Sequence, residues 1–116
     1  MYYQDVSTIT RQEAESAFSS GNSEAICNAL VSIAYHDPDW RWVQNRCLLF
    51  CKHPDPMVRG LATTCIGHLA RIHKVLDLPK VIRILKELQS DSEISGRAQD
   101  AMDDIKMFLD DKSENE

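Results

Sequence analysis

His53-Pro54-Asp55-Pro56-Met57-Val58-Arg59-Gly60-Leu61-Ala62 is the stretch that decides how the chain folds. Asp55 can accept from the free N–H groups that open a helix, and Pro56 has no N–H to lose at the first helical position. Beyond them Val58, Leu61, Ala62, Cys65, Ile66, Leu69 and Ile72 recur at three and four residues, the spacing of one helical face. A copy lies 36 residues further on, where Asp91, Ile94, Gly96, Ala98, Met102 and Ile105 fall on Asp55, Val58, Gly60, Ala62, Ile66 and Leu69. A period of that length marks stacked helical units, none of which can cover its apolar face alone.

The flanking sequence supplies the remaining helices. Thr10 and Glu13 form a capping box that opens a first helix through Ala14, Ala17 and Phe18. A second runs from about Ser23 to His36 and stops before Asp37-Pro38. The third, from about Asp39 to Cys51, carries two stripes: Trp40, Val43, Cys47 and Phe50 on one side, Trp42, Arg46 and Leu49 on another, which predicts neighbours on both flanks. The fourth extends from Pro56 to about Lys74. Asp77 is placed to cap a fifth beginning at Leu78, and a sixth is expected from about Glu93 to Leu109. Paired, they give antiparallel hairpins at about 10–36, 39–74 and 78–109. The expected fold is all-α, a short α-solenoid in one domain, 1–109, followed by an acidic, disordered tail at 110–116; the competing reading is a globular helical bundle whose self-similarity is fortuitous.

Composition agrees with one helical domain and narrows the function classes. The 116 residues are 43% hydrophobic and hold only four glycines and four prolines, enough apolar side chains for a single core. Charges interrupt every apolar run well short of the ~20 residues a membrane span needs, and Met1-Tyr2-Tyr3-Gln4-Asp5 lacks the basic and apolar regions of a secretory signal. A cytoplasmic location is the expectation. The net charge of −5 is uneven: residues 1–36 sum to −3, 37–90 to +4 and 91–116 to −6. The four cysteines, Cys27, Cys47, Cys51 and Cys65, all sit in helical patterns, as buried thiols of a reducing compartment do.

No catalytic constellation emerges, and neither a metal nor a cofactor is expected. Cys47, Cys51 and His53 do not have a zinc spacing, and His68 and His73 are five apart and so point in different directions. Cys65 and His68 stand at i and i+3, but Cys65 lies on the apolar stripe, where burial suppresses thiolate formation. Arg59, Arg71, Lys74, Lys80, Arg83 and Lys86 could line a groove for nucleic acid, yet they are diluted by acids, lack interleaved aromatics and belong to a chain of pI near 5.3. Neither nucleic acid nor a small molecule is the expected partner.

Asp55-Pro56-Met57-Val58-Arg59, with Leu61-Ala62 and the long apolar helix after it, resembles the inter-helix signature of HEAT repeats. That resemblance implies a structural turn built by Asp55, Pro56 and Val58, with Arg59 bonding the acid of a neighbouring repeat, Asp91 or Asp37. The last repeat departs from the pattern with Ser92 and Ser95 in place of Pro and Arg. In size, charge and missing catalytic groups the chain also resembles the small immunity proteins of bacterial contact-dependent growth inhibition and other polymorphic toxin systems. This implies a non-catalytic protein that binds and neutralises a toxin domain, often a nuclease. The alternative is a general adaptor that binds another protein on the concave face of its second helices.

Two surfaces are the candidate contacts with that partner protein. Glu93, Asp100, Asp103, Asp104 and Met107 avoid the apolar stripe of the last helix, and the acids continue into Asp110 and Asp111, a negatively charged outer face that can steer a basic partner. Trp40 and Trp42 flank Arg41, and Trp and Arg are favoured anchors of interfaces. Two substitutions express the reading: Val58→Asp is expected to unfold the protein, whereas His68→Ala is expected to leave stability and binding nearly intact.

Overall fold

The computed structural model describes residues 7–110, Asp110 by its backbone alone. The chain runs α1 (Arg11–Phe18), α2 (Ser23–His36), α3 (Trp40–Phe50), α4 (Pro56–His73), α5 (Leu78–Leu88) and α6 (Ser95–Ile105), then a π-helical turn, Lys106–Asp110. No strand occurs among the described residues. The tail expected at 110–116 falls, after Asp110, outside the described residues, as does the lead-in at 1–6.

Side-chain acceptors start most of the helices. Thr10 and Glu13 exchange both bonds of a capping box, Asn22 accepts from the Ala25 N–H, and Asp39 from the Trp42 N–H. Asp55 accepts from the Met57 N–H at 2.9 Å with Pro56 at the first helical position. α4 ends at Lys74, whose φ of 56° puts a non-glycine residue in the left-handed region. Asp77 differs from expectation: its carboxylate makes no capping bond, and its backbone N–H instead donates to Gln44 Oε1 at 2.7 Å. A buried glutamine of α3 thus holds the start of α5. α6 begins two residues later than expected because Asp91 first closes a tight turn, its carbonyl accepting from the Ile94 N–H.

The helices form three hairpins whose second members lie side by side. α4 packs on α2 along one flank, on α6 along the other and on α3 across the layer, so α4 is the centre of the stack. Val58, Ala62, Cys65, Ile66 and Leu69 have no exposed surface. Of their repeat partners Ile94, Ala98 and Ile105 are buried as well, while Met102, on the outermost helix, is half-buried. Small residues set the close approach of α4 and α6. A Cβ at Gly67 would stand 2.6 Å from Asp104 Oδ2, and one at Gly60 3.0 Å from Arg97 Cδ.

The second stripe of α3 is covered at Trp42 and Arg46 but not at Leu49. Val43, Gln44, Cys47, Leu48 and Phe50 are buried; Trp42 lies under Arg11 of α1 and Arg46 pairs with Glu15 of α1, whereas Leu49 is 56% exposed. All four cysteines are buried free thiols. A bond with the Cys65 sulfur, together with burial, holds the Cys47 thiol well above its ordinary range, and burial pushes Cys51 up to about 11.

Candidate protein-binding surface

The junctions between hairpins place the turn residues first. Arg59 is largely buried; its Nε donates to Asp91 Oδ2 at 3.0 Å, and its Nη1 donates to the carbonyls of His53 and Pro54. Its Nη2 lies 3.6 Å from Glu93, so one guanidinium joins both sides of the hairpin boundary. Asp37, the other acid considered for Arg59, is held by Arg11 at the opposite end of the stack. At the preceding boundary Ser23 Oγ donates to Asp55 Oδ2 at 2.6 Å. This bond and the Met57 N–H hold the Asp55 carboxyl below its ordinary range.

The 36-residue step relates these two contacts, Ser23 to Arg59 and Asp55 to Asp91. It relates a second pair as well. Tyr35 stacks on His68 with centroids 5.0 Å apart, and one step on are Arg71 and Asp104, whose charges interact. The first hairpin therefore keeps the register of the other two, although its turn lacks the Asp-Pro signature.

The acidic residues of the last hairpin divide by role. Asp100 and Asp103 are exposed, and Gln99 donates to Asp103. Glu93 is exposed but leans on Arg59. Asp104 is not part of an outward row: it is half-buried against Gly67, and burial raises its pKa more than the neighbouring Arg71 lowers it. The Asp110 side chain and Asp111 lie outside the described residues.

The two tryptophans are held within the molecule. Trp42 packs against the core with the Arg11 guanidinium 4.0 Å from its ring centroid, and Arg11 also meets Asp37 and Asp39. Trp40 is half-buried under Arg41 at 4.7 Å. This ridge belongs to α3, and α4 stands between it and α6, so the structure does not bring the tryptophans and the acids into one patch.

Between them lies a polar strip whose residues the motifs did not bring together. Arg71 on α4 is bonded to His68 Nδ1, and His68 Nε2 is 3.5 Å from Tyr35 Oη on α2. With Arg71 donating to Nδ1, the ring proton sits on Nε2 and points at Tyr35. Burial, reinforced by the Arg71 charge, lowers the His68 pKa to about 4, so this imidazole is neutral near pH 7. On the same side Arg97 of α6 lies over Gly60 and donates to Thr64 Oγ1 at 3.0 Å. The repeat interval relates Tyr35 to Arg71 in the sequence.

Among the described residues no group of three or more His, Cys, Asp or Glu could hold a metal ion, and no helix is long and apolar enough to cross a membrane. No protein-family model and no curated protein matches the chain. A solved structure does. In the crystal structure of a CDI complex from Cupriavidus taiwanensis LMG 19424, one chain is 38% identical, superposes with a TM-score of 0.82, and is matched over 97% of its length by 93% of this chain. The chain belongs to the family of that CDI-complex component. The fold of this chain accordingly occurs, in this relative, in a CDI complex.

Proposed function

We propose that this chain is an immunity protein of a contact-dependent growth inhibition system, a non-catalytic protein that binds a cognate toxin domain and blocks its activity in the cytoplasm of the producing cell. The observation that carries this reading is the 38% identity, over nearly the whole of both chains, to a component of a CDI complex. The turn built on Asp55, Pro56, Val58, Arg59 and Asp91 supports a HEAT-like stack as the scaffold.

The exposed acids suit a nuclease as the toxin. Asp100 and Asp103 present the charge that a phosphate backbone would present to a basic cleft, and opposite charge speeds encounter; Asp110 and Asp111 follow them in the sequence and are proposed to extend this charge. Glu93 and Asp104 border this surface. In this reading Trp42, under Arg11 of α1, packs the first hairpin on the second, and it and Trp40, under Arg41 of its own helix, contact the toxin only at its edge.

Copurification is the test. The tagged chain, coexpressed with an inactivated toxin domain from the adjacent reading frame, is expected to retain that domain in a stable complex at physiological salt. Failure to retain it would contradict the immunity reading.

A further inference from the structure

The repeat register singles out one surface row. Tyr35, Arg71 and Met107 are successive 36-residue steps, carried by α2, by α4 and by the turn after α6. These elements lie side by side with α4 in the middle, at the 8–10 Å spacing usual for packed helices, so the row crosses the whole second-helix layer over about 20 Å. Tyr35 and Arg71 are half-buried, and Met107 is 63% exposed, the most exposed of the large apolar side chains among the described residues. Val75, 38% exposed, lies just past the left-handed Lys74 that ends α4. Tyr, Arg and Met are enriched at the cores of protein interfaces. Arg71 is already oriented by its bond to His68, so binding would cost it little side-chain freedom.

We infer that the Tyr35–Arg71–Met107 row is the anchoring surface for the toxin domain, while the acids of α6 steer the approach. This inference rests on the immunity reading above. The occupant is a folded protein domain with an apolar centre to receive Met107. Its rim is basic, because Asp100 and Asp103 are exposed on α6 beside the row. The outer side of α3 has a comparably exposed apolar residue, Leu49, but no such row, and stays in solvent in the complex.

The test compares wild type, Met107→Arg and Leu49→Arg as full chains against an inactivated toxin domain from the adjacent reading frame, by surface plasmon resonance and thermal melting. Both substitutions are at exposed sites, and both variants are expected to melt within about 2 °C of wild type. Met107→Arg is expected to raise the dissociation rate at least about tenfold, and Leu49→Arg to leave it unchanged. Unchanged dissociation for a folded Met107→Arg variant, or loss of binding in Leu49→Arg, would overturn the assignment. So would a wild-type dimer that Met107→Arg converts to a monomer, since the row would then join copies of this chain. A wild-type protein that fails to bind at all would instead overturn the immunity reading.

Discussion

Arg59 reaches out of the turn of the second hairpin and meets Asp91 in the turn of the third, Nε to Oδ2, at 3.0 Å. Its other nitrogens take up the His53 and Pro54 carbonyls and approach Glu93, so one side chain closes its own turn and docks the next. Ser23 and Asp55 make the smaller version of this contact one repeat earlier. The repeat is therefore a repeat of contacts as well as of apolar spacing.

Removing that guanidinium leaves Asp91 and two carbonyls short of a donor. Arg59→Ala is expected to destabilise the fold by about 2–3 kcal/mol, read by urea unfolding. Arg59→Lys should recover only part of this, because an ammonium cannot serve carboxylate and carbonyls with the same planar fork. Wild-type stability in Arg59→Ala would mean that the hairpin boundary is held by apolar packing alone.

The α4–α6 contact can be tested by a double-mutant cycle. Gly67→Ala brings a Cβ against the Asp104 carboxylate and is expected to cost about 1 kcal/mol despite the better helix propensity of alanine. In an Asp104→Ala background the clash is gone, and the same substitution should stabilise by about 1 kcal/mol. Additive effects of the two changes would show that the helices do not approach as closely as described.

His68 gives the stability a pH signature. Its folded pKa of about 4 lies below the ordinary 6.5, so the unfolded chain binds the extra proton first as pH falls. The contribution is complete above about pH 6.5 and is lost progressively as pH falls from there towards 4. After allowance for solvent screening the loss is about 2 kcal/mol. Unfolding free energies measured between pH 4 and 7.5 should rise with pH, and His68→Ala should flatten that slope. Because the ring is buried under Tyr35 and bonded to Arg71, His68→Ala should also cost about 1–2 kcal/mol at pH 7.5. The sequence leads to the expectation that His68→Ala leaves stability nearly intact; the burial of the ring under Tyr35, which arrives from another helix, argues for a cost instead. A slope unchanged in the variant would contradict the assignment.

Charge reversal separates steering from anchoring. Asp100→Lys with Asp103→Lys is expected to lower the association rate with the toxin domain about tenfold at low salt and much less at 0.5 M salt, with dissociation little changed. Equal association rates at low salt would remove these acids from the encounter.

Residues with one dominant environment could be read from the chain, and residues whose environment depends on a distant partner could not. Val58, Ala62, Ile66 and Leu69 are core because helical spacing alone puts them on one face, and Thr10, Asn22, Asp39 and Asp55 cap because their partners are two or three residues away. Asp77 looked like the same kind of cap, but Gln44 from α3 had taken the backbone N–H. Leu49 looked apolar enough to need a neighbour that the stack does not supply. Asp104 and Asp100 looked alike, and only the missing side chain at Gly67 draws Asp104 inward. The candidate surface was harder for the same reason. Tyr35, Arg71 and Met107 have nothing in common within their own helices and become a row only when three helices are laid side by side.

The central claim is protection against a toxin, and a growth assay measures it directly. Cells induced to make the active toxin domain from the adjacent reading frame should stop growing without this chain and grow at the uninduced rate when it is coexpressed. Toxicity that persists although the folded chain is present in excess would contradict the account.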